Sequence, residues 1–174
     1  DAAGGRPLTV AAAFTELRAL GDAPLLVLTG GEPLSHPGVD RLLIAAAGQW
    51  PRIEVETSGL EAPPLQHERV HYMWSPKLPG VTERWADTWA HRDRFVADPR
   101  TTIKLVVATG DDDTALRLIR QHELPRERVL LMPEGLTDAA LRERALTLAT
   151  LCMNEGLRLS PRLHVWLWGA KRGV

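Results

Sequence analysis

The sequence has 174 residues, 44% hydrophobic and 25% charged, which suits one domain with an ordinary packed core. A net charge of -1 supplies no field for non-specific nucleic-acid or membrane binding. One cysteine, Cys152, excludes an intrachain disulfide, a four-cysteine zinc site and, from these residues alone, an iron–sulfur cluster.

Near the start, Thr9 is placed to cap a helix carrying Val10, Phe14, Leu17 and Leu20, which stops at Gly21. Leu25-Leu26-Val27-Leu28 is a continuous apolar run, as expected of a strand covered on both faces. Gly30-Gly31 and Pro33 stop it. A helix is expected from Pro37 onward, carrying Val39, Leu42, Leu43 and Ala46. Strands follow over 53–57, closed by Ser58-Gly59, and over 71–74, closed by Ser75-Pro76. The stretch 82–96 reads as a helix with Trp85, Trp89 and Phe95 roughly on one side. A fourth strand is expected over 103–108. Asp112 or Asp113 then caps a helix holding Leu116, Leu118 and Ile119. A fifth strand over 129–132 leads to a long helix over 138–156, and a last strand is expected over 157–167.

Strands alternating with helices argue for an α/β fold with a parallel sheet. The absence of a Gly-x-Gly-x-x-Gly fingerprint favours a partial (β/α) barrel over a doubly wound sheet. In either case ligands gather at the carboxyl ends of the strands. Those ends are Thr29 to Pro33, Glu56 to Gly59, Ser75 to Lys77, Thr109-Gly110, Met132 to Glu134, and His164 to Trp168. No secretion signal or long apolar run is evident, so a cytoplasmic, membrane-free protein is expected.

Thr29-Gly30-Gly31-Glu32-Pro33 carries the chemistry most clearly. Two glycines let a ligand approach the backbone, and the Glu32 carboxylate suits an ammonium group. A tight loop closed by Gly and Pro is the plainer reading of the same residues. Glu56-Thr57-Ser58-Gly59 offers a carboxylate and hydroxyls. Ser75 and Lys77 offer a hydroxyl and a positive charge for a carboxylate. Lys104, inside a strand, faces either an edge or the barrel interior, where it would need an anionic partner. Period-two alternation puts Arg162, His164 and Trp166 on one strand face. Cys152 sits between Leu151 and Met153 in a helix and reads as core. A Schiff-base lyase acting through Lys77 or Lys104 also fits these strand ends.

Taken in order, Thr29-Gly30-Gly31-Glu32-Pro33, Glu56-Thr57-Ser58-Gly59, Ser75-Pro76-Lys77, Met132-Pro133-Glu134-Gly135 and the closing residues 163–169 resemble the 7-carboxy-7-deazaguanine synthase family. The resemblance runs from about Gly4 to Val174. It implies a partial (β/α) barrel of the radical S-adenosylmethionine type. It implies conversion of 6-carboxy-5,6,7,8-tetrahydropterin to 7-carboxy-7-deazaguanine with loss of ammonia, begun by a 5′-deoxyadenosyl radical. On this resemblance Thr29, Gly30, Gly31 and Glu32 hold the amino acid end of S-adenosylmethionine. Ser58 lies near its methionyl or ribosyl part, Ser75 and Lys77 hold ribose and carboxylate, and Met132 edges the adenine. Gly31 and His164 lie near the pterin. A [4Fe–4S] cluster and Mg²⁺ belong to the family, with ligands that these residues do not supply, and a homodimer is common in it. The family's first strand and cluster loop have no counterpart here, so one partial-barrel domain over 1–174 lacking its natural N-terminal segment is expected. A cluster-free relative that binds S-adenosylmethionine or a pterin is the alternative.

Overall fold

A computed structural model of the protein describes residues 5–169 and 171. The loop reading at Gly4, and the last residues of the resemblance, lie outside them. Six strands form one parallel sheet in the order β1 (Leu25–Leu28), β2 (Arg52–Thr57), β3 (Val70–Trp74), β4 (Thr102–Val107), β5 (Val129–Pro133) and β6 (Arg158–Leu159). Each neighbouring pair is parallel. A doubly wound sheet reverses its order at a switch point. This one runs in chain order throughout, which is the order of a partial barrel.

Burial alternates along the strands and separates two faces. Ile53, Val55, Tyr72, Trp74, Ile103, Leu105, Val107, Val129 and Leu131 are buried under the helices. Their alternate neighbours Glu54, Glu56, Met73, Lys104, Val106 and Met132 are half-buried on the concave face. The helices are α1 (Val10–Ala19), α2 (Val39–Ala47), α3 (Arg92–Ala97), α4 (Asp112–Gln121), α5 (Asp138–Glu155) and α6 (Leu163–Trp168). None is long and apolar enough to cross a membrane among the described residues.

The helix ends follow their local chemistry. The Thr9 hydroxyl accepts from the Ala12 amide at 3.2 Å and opens α1. Phe14 of α1 then packs edge-on against Trp50, 4.9 Å between ring centres. At the other end of the chain, Gly156 takes the left-handed conformation that closes α5, as expected of a glycine past a long helical run.

Five expectations need correction. The run over 25–28 is covered on one face only: Leu26 is buried, whereas Leu25 and Val27 are about two-fifths exposed. An all-apolar tetrapeptide cannot report which face lacks a cover. The second helix begins at Val39 behind a left-handed Gly38, not at Pro37. The stretch 82–96 is two short pieces, a 3₁₀ turn Ala86–Trp89 and α3. Aromatic spacing there marks packing of Trp89 and Phe95 on Trp74 instead of one continuous helix. The N-cap of α4 is Asp111, without a side-chain cap bond. Asp112 instead pairs with the buried Arg144 at 2.5 Å, and Arg144 also donates to the carbonyls of Val107 and Ala108.

The fifth correction is the last strand. β6 is two residues long, and 163–168 is helix. Pro161 lacks the amide a ladder needs, and it biases the residue before it to extended backbone. Leu163, Val165 and Leu167 looked like a strand face, yet only Val165 is buried.

Candidate functional site

β1 delivers the chain to Thr29 at the open end of the sheet. Gly30 and Gly31 both have positive φ, 91° and 59°, so side chains are disfavoured by the backbone itself. A Cβ at either would meet nothing within 4 Å. The two glycines therefore border open space, which leaves their amides and carbonyls accessible.

Glu32 follows and is fully engaged with the protein. Its Oε1 accepts from the Thr57 hydroxyl at 2.6 Å and the Leu34 amide at 3.2 Å. Its Oε2 accepts from the Ser58 amide at 2.8 Å and the Ser58 hydroxyl at 2.5 Å. A carboxylate offers roughly four acceptor positions, so these contacts fill it. Glu32 ties the glycine loop to the end of β2 and caps the 3₁₀ turn Pro33–Ser35.

The β2 and β3 ends are fixed by their backbones. The Ser75 amide donates to Thr57 O at 2.8 Å and extends the ladder past the strands. The Lys77 amide donates to the Thr88 hydroxyl at 2.9 Å, and Trp89 Nε1 donates to Lys77 O at 2.9 Å. With its backbone held on both sides, Lys77 has its side chain left for the cavity. Burial lowers the Lys77 pKa from its ordinary value of 10.5, and the Lys104 charge lowers it further, while Glu32 pulls the other way. Among the described residues no carboxylate lies within ion-pair distance of Lys77. A half-buried cation so placed is set to receive an anion.

The β4 lysine faces the interior. Lys104 Nζ lies 3.6 Å from Glu56 Oε1, so the anionic partner expected of an interior lysine is Glu56. Thr29 Oγ1 approaches the same carboxylate at 3.5 Å.

These groups surround one cavity of about 800 Å³. Ligand pockets run to roughly 300–1,000 Å³. Thr29, Gly30, Gly31, Glu32, Ser58, Ser75, Lys77, Met132 and His164 all line it. His164 reaches it from α6, not from a strand. Thr109-Gly110 does not join them; it borders a separate cavity of about 270 Å³ with Arg144. Thr57, named in sequence as part of the β2 end, lines the larger cavity as well. Sequence reasoning left out Leu60 and Val106 as wall residues, and no signal marked either.

Cys152 lies buried in α5 within the helix-side core, and burial pushes its thiol pKa up. It is a packing residue, as its neighbours in sequence implied.

No protein-family model matches the chain. Among curated relatives, the 7-carboxy-7-deazaguanine synthase of Halobacterium salinarum is 35% identical, over 89% of this chain and 69% of that protein. Its namesake from Pyrobaculum aerophilum is 34% identical, over 85% and 67%. A third, from Hyperthermus butylicus, is 32% identical, over 92% and 72%. Of solved structures, Streptococcus suis SuiB bound to S-adenosylmethionine matches with a TM-score of 0.53 at 11% identity. That match covers 86% of this chain and 39% of SuiB, and is a likeness of fold alone. Three relatives above 30% identity, each aligned along most of this sequence, settle the matter that the strand-end residues raised: the chain belongs to the 7-carboxy-7-deazaguanine synthase family.

Proposed function

We propose that the cavity at the strand ends binds S-adenosylmethionine beside a carboxylated reduced pterin. The protein then takes part in converting 6-carboxy-5,6,7,8-tetrahydropterin to 7-carboxy-7-deazaguanine with loss of ammonia. The observation that carries this reading is the open Gly30-Gly31 backbone sharing one cavity with the Lys77 ammonium, which has no ion-pair partner among the described residues. An amino acid moiety presents an ammonium and a carboxylate together. The glycine carbonyls suit the first and Lys77 the second.

The remaining walls divide by chemistry. Ser75 offers a hydroxyl to the ribose, with Ser58 beside the methionyl and ribosyl part. Met132 edges the adenine through backbone groups. Thr29 stays with the amino acid end of the cofactor, and Gly31 and His164 border the substrate side. Glu32 acts through the loop it holds, because its oxygens are already occupied. When bound, S-adenosylmethionine supplies the hydrogen-abstracting group; the protein's residues position it and keep the substrate next to it.

The cluster of the family is a separate matter. A [4Fe–4S] cluster takes several thiolates, and the one cysteine here is buried in α5. The residues present do not fit a cluster. Nor do the described residues bring three His, Cys, Asp or Glu together for a metal ion. The alternative is a cluster-free relative that binds S-adenosylmethionine or a pterin without turnover. A homodimer and a cytoplasmic location complete the proposal by analogy with the family.

Calorimetric titration tests the cofactor half. S-adenosylmethionine is expected to bind one per chain. Lys77→Met is expected to weaken it about tenfold, the worth of one charge-assisted hydrogen bond. The same change should leave stability equal or higher, since it removes a cation that burial disfavours. Affinity should also fall with rising pH, at a pH below 10.5, as Lys77 loses its proton. In the free protein the sign is opposite. The folded chain releases that proton before the unfolded one does, so the Lys77 contribution to stability improves as pH rises through the lowered pKa. No binding, or a Lys77→Met protein that binds equally well, would remove this assignment.

A further inference from the structure

Lys104 has no part in the reading above, yet it is placed like a functional residue. It stands on the concave face of β4 with 15% of its side chain exposed, against the cavity wall. Its partner Glu56 is two strands away. Glu56 is level with Met73 on β3, and Met73 is level with Thr102 on β4. Lys104 is two residues farther along, so it reaches diagonally across β3 to meet the carboxylate. Thr29 holds the other oxygen of Glu56 at 3.5 Å. The contrast with Glu32 is informative. Glu32 has four donors at 3.2 Å or less. Glu56 has one distant hydroxyl and one ammonium at 3.6 Å, with 41% of its side chain exposed. It therefore retains acceptor capacity facing a ligand-sized cavity.

We propose that Lys104 is a positioning residue that holds the Glu56 carboxylate in the cavity, where it accepts hydrogen bonds from N–H groups of the bound heterocycle. The inference rests on the functional reading and deepens it. A reduced pterin carries ring and exocyclic N–H donors, and an ionised acceptor strengthens such bonds. A glutamate side chain without its cation has several rotamers open to it and pays to adopt one. Lys104 itself makes no substrate contact.

The test uses the full-length gene product, saturated with S-adenosylmethionine and kept anaerobic without reductant. The probe is 6-carboxy-5,6,7,8-tetrahydropterin, followed by calorimetry. Glu56→Gln and Lys104→Met should each weaken the pterin about tenfold. The double variant should be no more than about twofold weaker than Glu56→Gln alone, because both changes remove one interaction. Lys104→Arg should recover most of the affinity, and S-adenosylmethionine binding should change less than about threefold in Lys104→Met. Additive losses, or losses that track a falling thermal midpoint and are not recovered by arginine, would overturn the proposal and leave Lys104 structural. Lys104→Met binding the pterin like the unsubstituted protein would also overturn it. If the unsubstituted protein binds S-adenosylmethionine but no pterin, the functional reading fails and takes this proposal with it.

Discussion

Glu32→Ala is expected to destabilise the protein by about 3 kcal/mol and to weaken S-adenosylmethionine binding about 100-fold, with Glu32→Gln in between. The reason is the set of four donors on one carboxylate. Thr57, Ser58 and Leu34 present their hydroxyls and amides to it at 2.5–3.2 Å. Hydrogen bonds to a charged group are worth about 1.5–3 kcal/mol each and do not add, so the sum is set well below four times that. Alanine leaves the Ser58 and Leu34 amides without their acceptor. It also unties the Gly30-Gly31 loop from β2, and binding should fall with it. Glutamine keeps one acceptor oxygen, and the hydroxyls of Thr57 and Ser58 can turn to accept from its amide. Melting curves and calorimetry on the same samples separate the two possible roles of Glu32. A brace loses stability and affinity together. A direct partner of the ligand ammonium would lose affinity in Glu32→Gln at unchanged stability, and that result would contradict the geometry.

Gly59→Ala is the second large effect, at about 3–5 kcal/mol of destabilisation. Gly59 has φ 88°, and an added Cβ would collide with the Trp74 indole and stand 2.7 Å from Thr88 O. Both neighbours are fixed. Trp74 is fully buried, stacked on Phe95 at 5.2 Å and edge-on to Trp89 at 5.4 Å. Trp74 Nε1 donates to that same Thr88 carbonyl at 3.1 Å. The methyl has no route outward except by breaking this bond or moving β3. Thr88 also holds the Lys77 amide, so the shift should carry into the cavity. Gly30→Ala is the internal control. Its φ is as positive, but nothing lies within 4 Å of its Cβ, so only backbone strain of about 1–2 kcal/mol is expected. Thermal denaturation of both variants checks the contrast; equal losses would mean that crowding at Gly59 is not the cause.

The parts of the fold that were legible in sequence share a physical origin. β1, β2 and β3 announce themselves as short β-rich runs stopped by Gly30-Gly31, Ser58-Gly59 and Ser75-Pro76. Those same stops form the cavity rim, so strand ends and candidate site were read from one signal. The C-terminal part was not legible. Leu163, Val165 and Leu167 alternate as a strand would, but the pattern is too short to separate a strand from a single helical turn. Neither could the sequence show that Leu25 and Val27 lack a cover, because apolar residues look alike whether or not a partner lies over them. The role of Glu32 lay out of reach for another reason. Its donors Thr57 and Ser58 are 25 and 26 residues away, and their convergence depends on the register of β1 on β2. The interior ion pair of Lys104 needed a partner that only the sheet order could name.

The central claim is that this cavity serves the ring contraction of a carboxylated pterin. Its most direct measurement is product analysis by mass spectrometry on the full-length gene product. The protein would be prepared anaerobically with iron and sulfide, then supplied with reductant, S-adenosylmethionine and 6-carboxy-5,6,7,8-tetrahydropterin. The prediction is 7-carboxy-7-deazaguanine together with 5′-deoxyadenosine, both reduced by Glu32→Ala. Formation of neither product from a preparation that binds both ligands would contradict the claim and leave the cluster-free binding protein in its place.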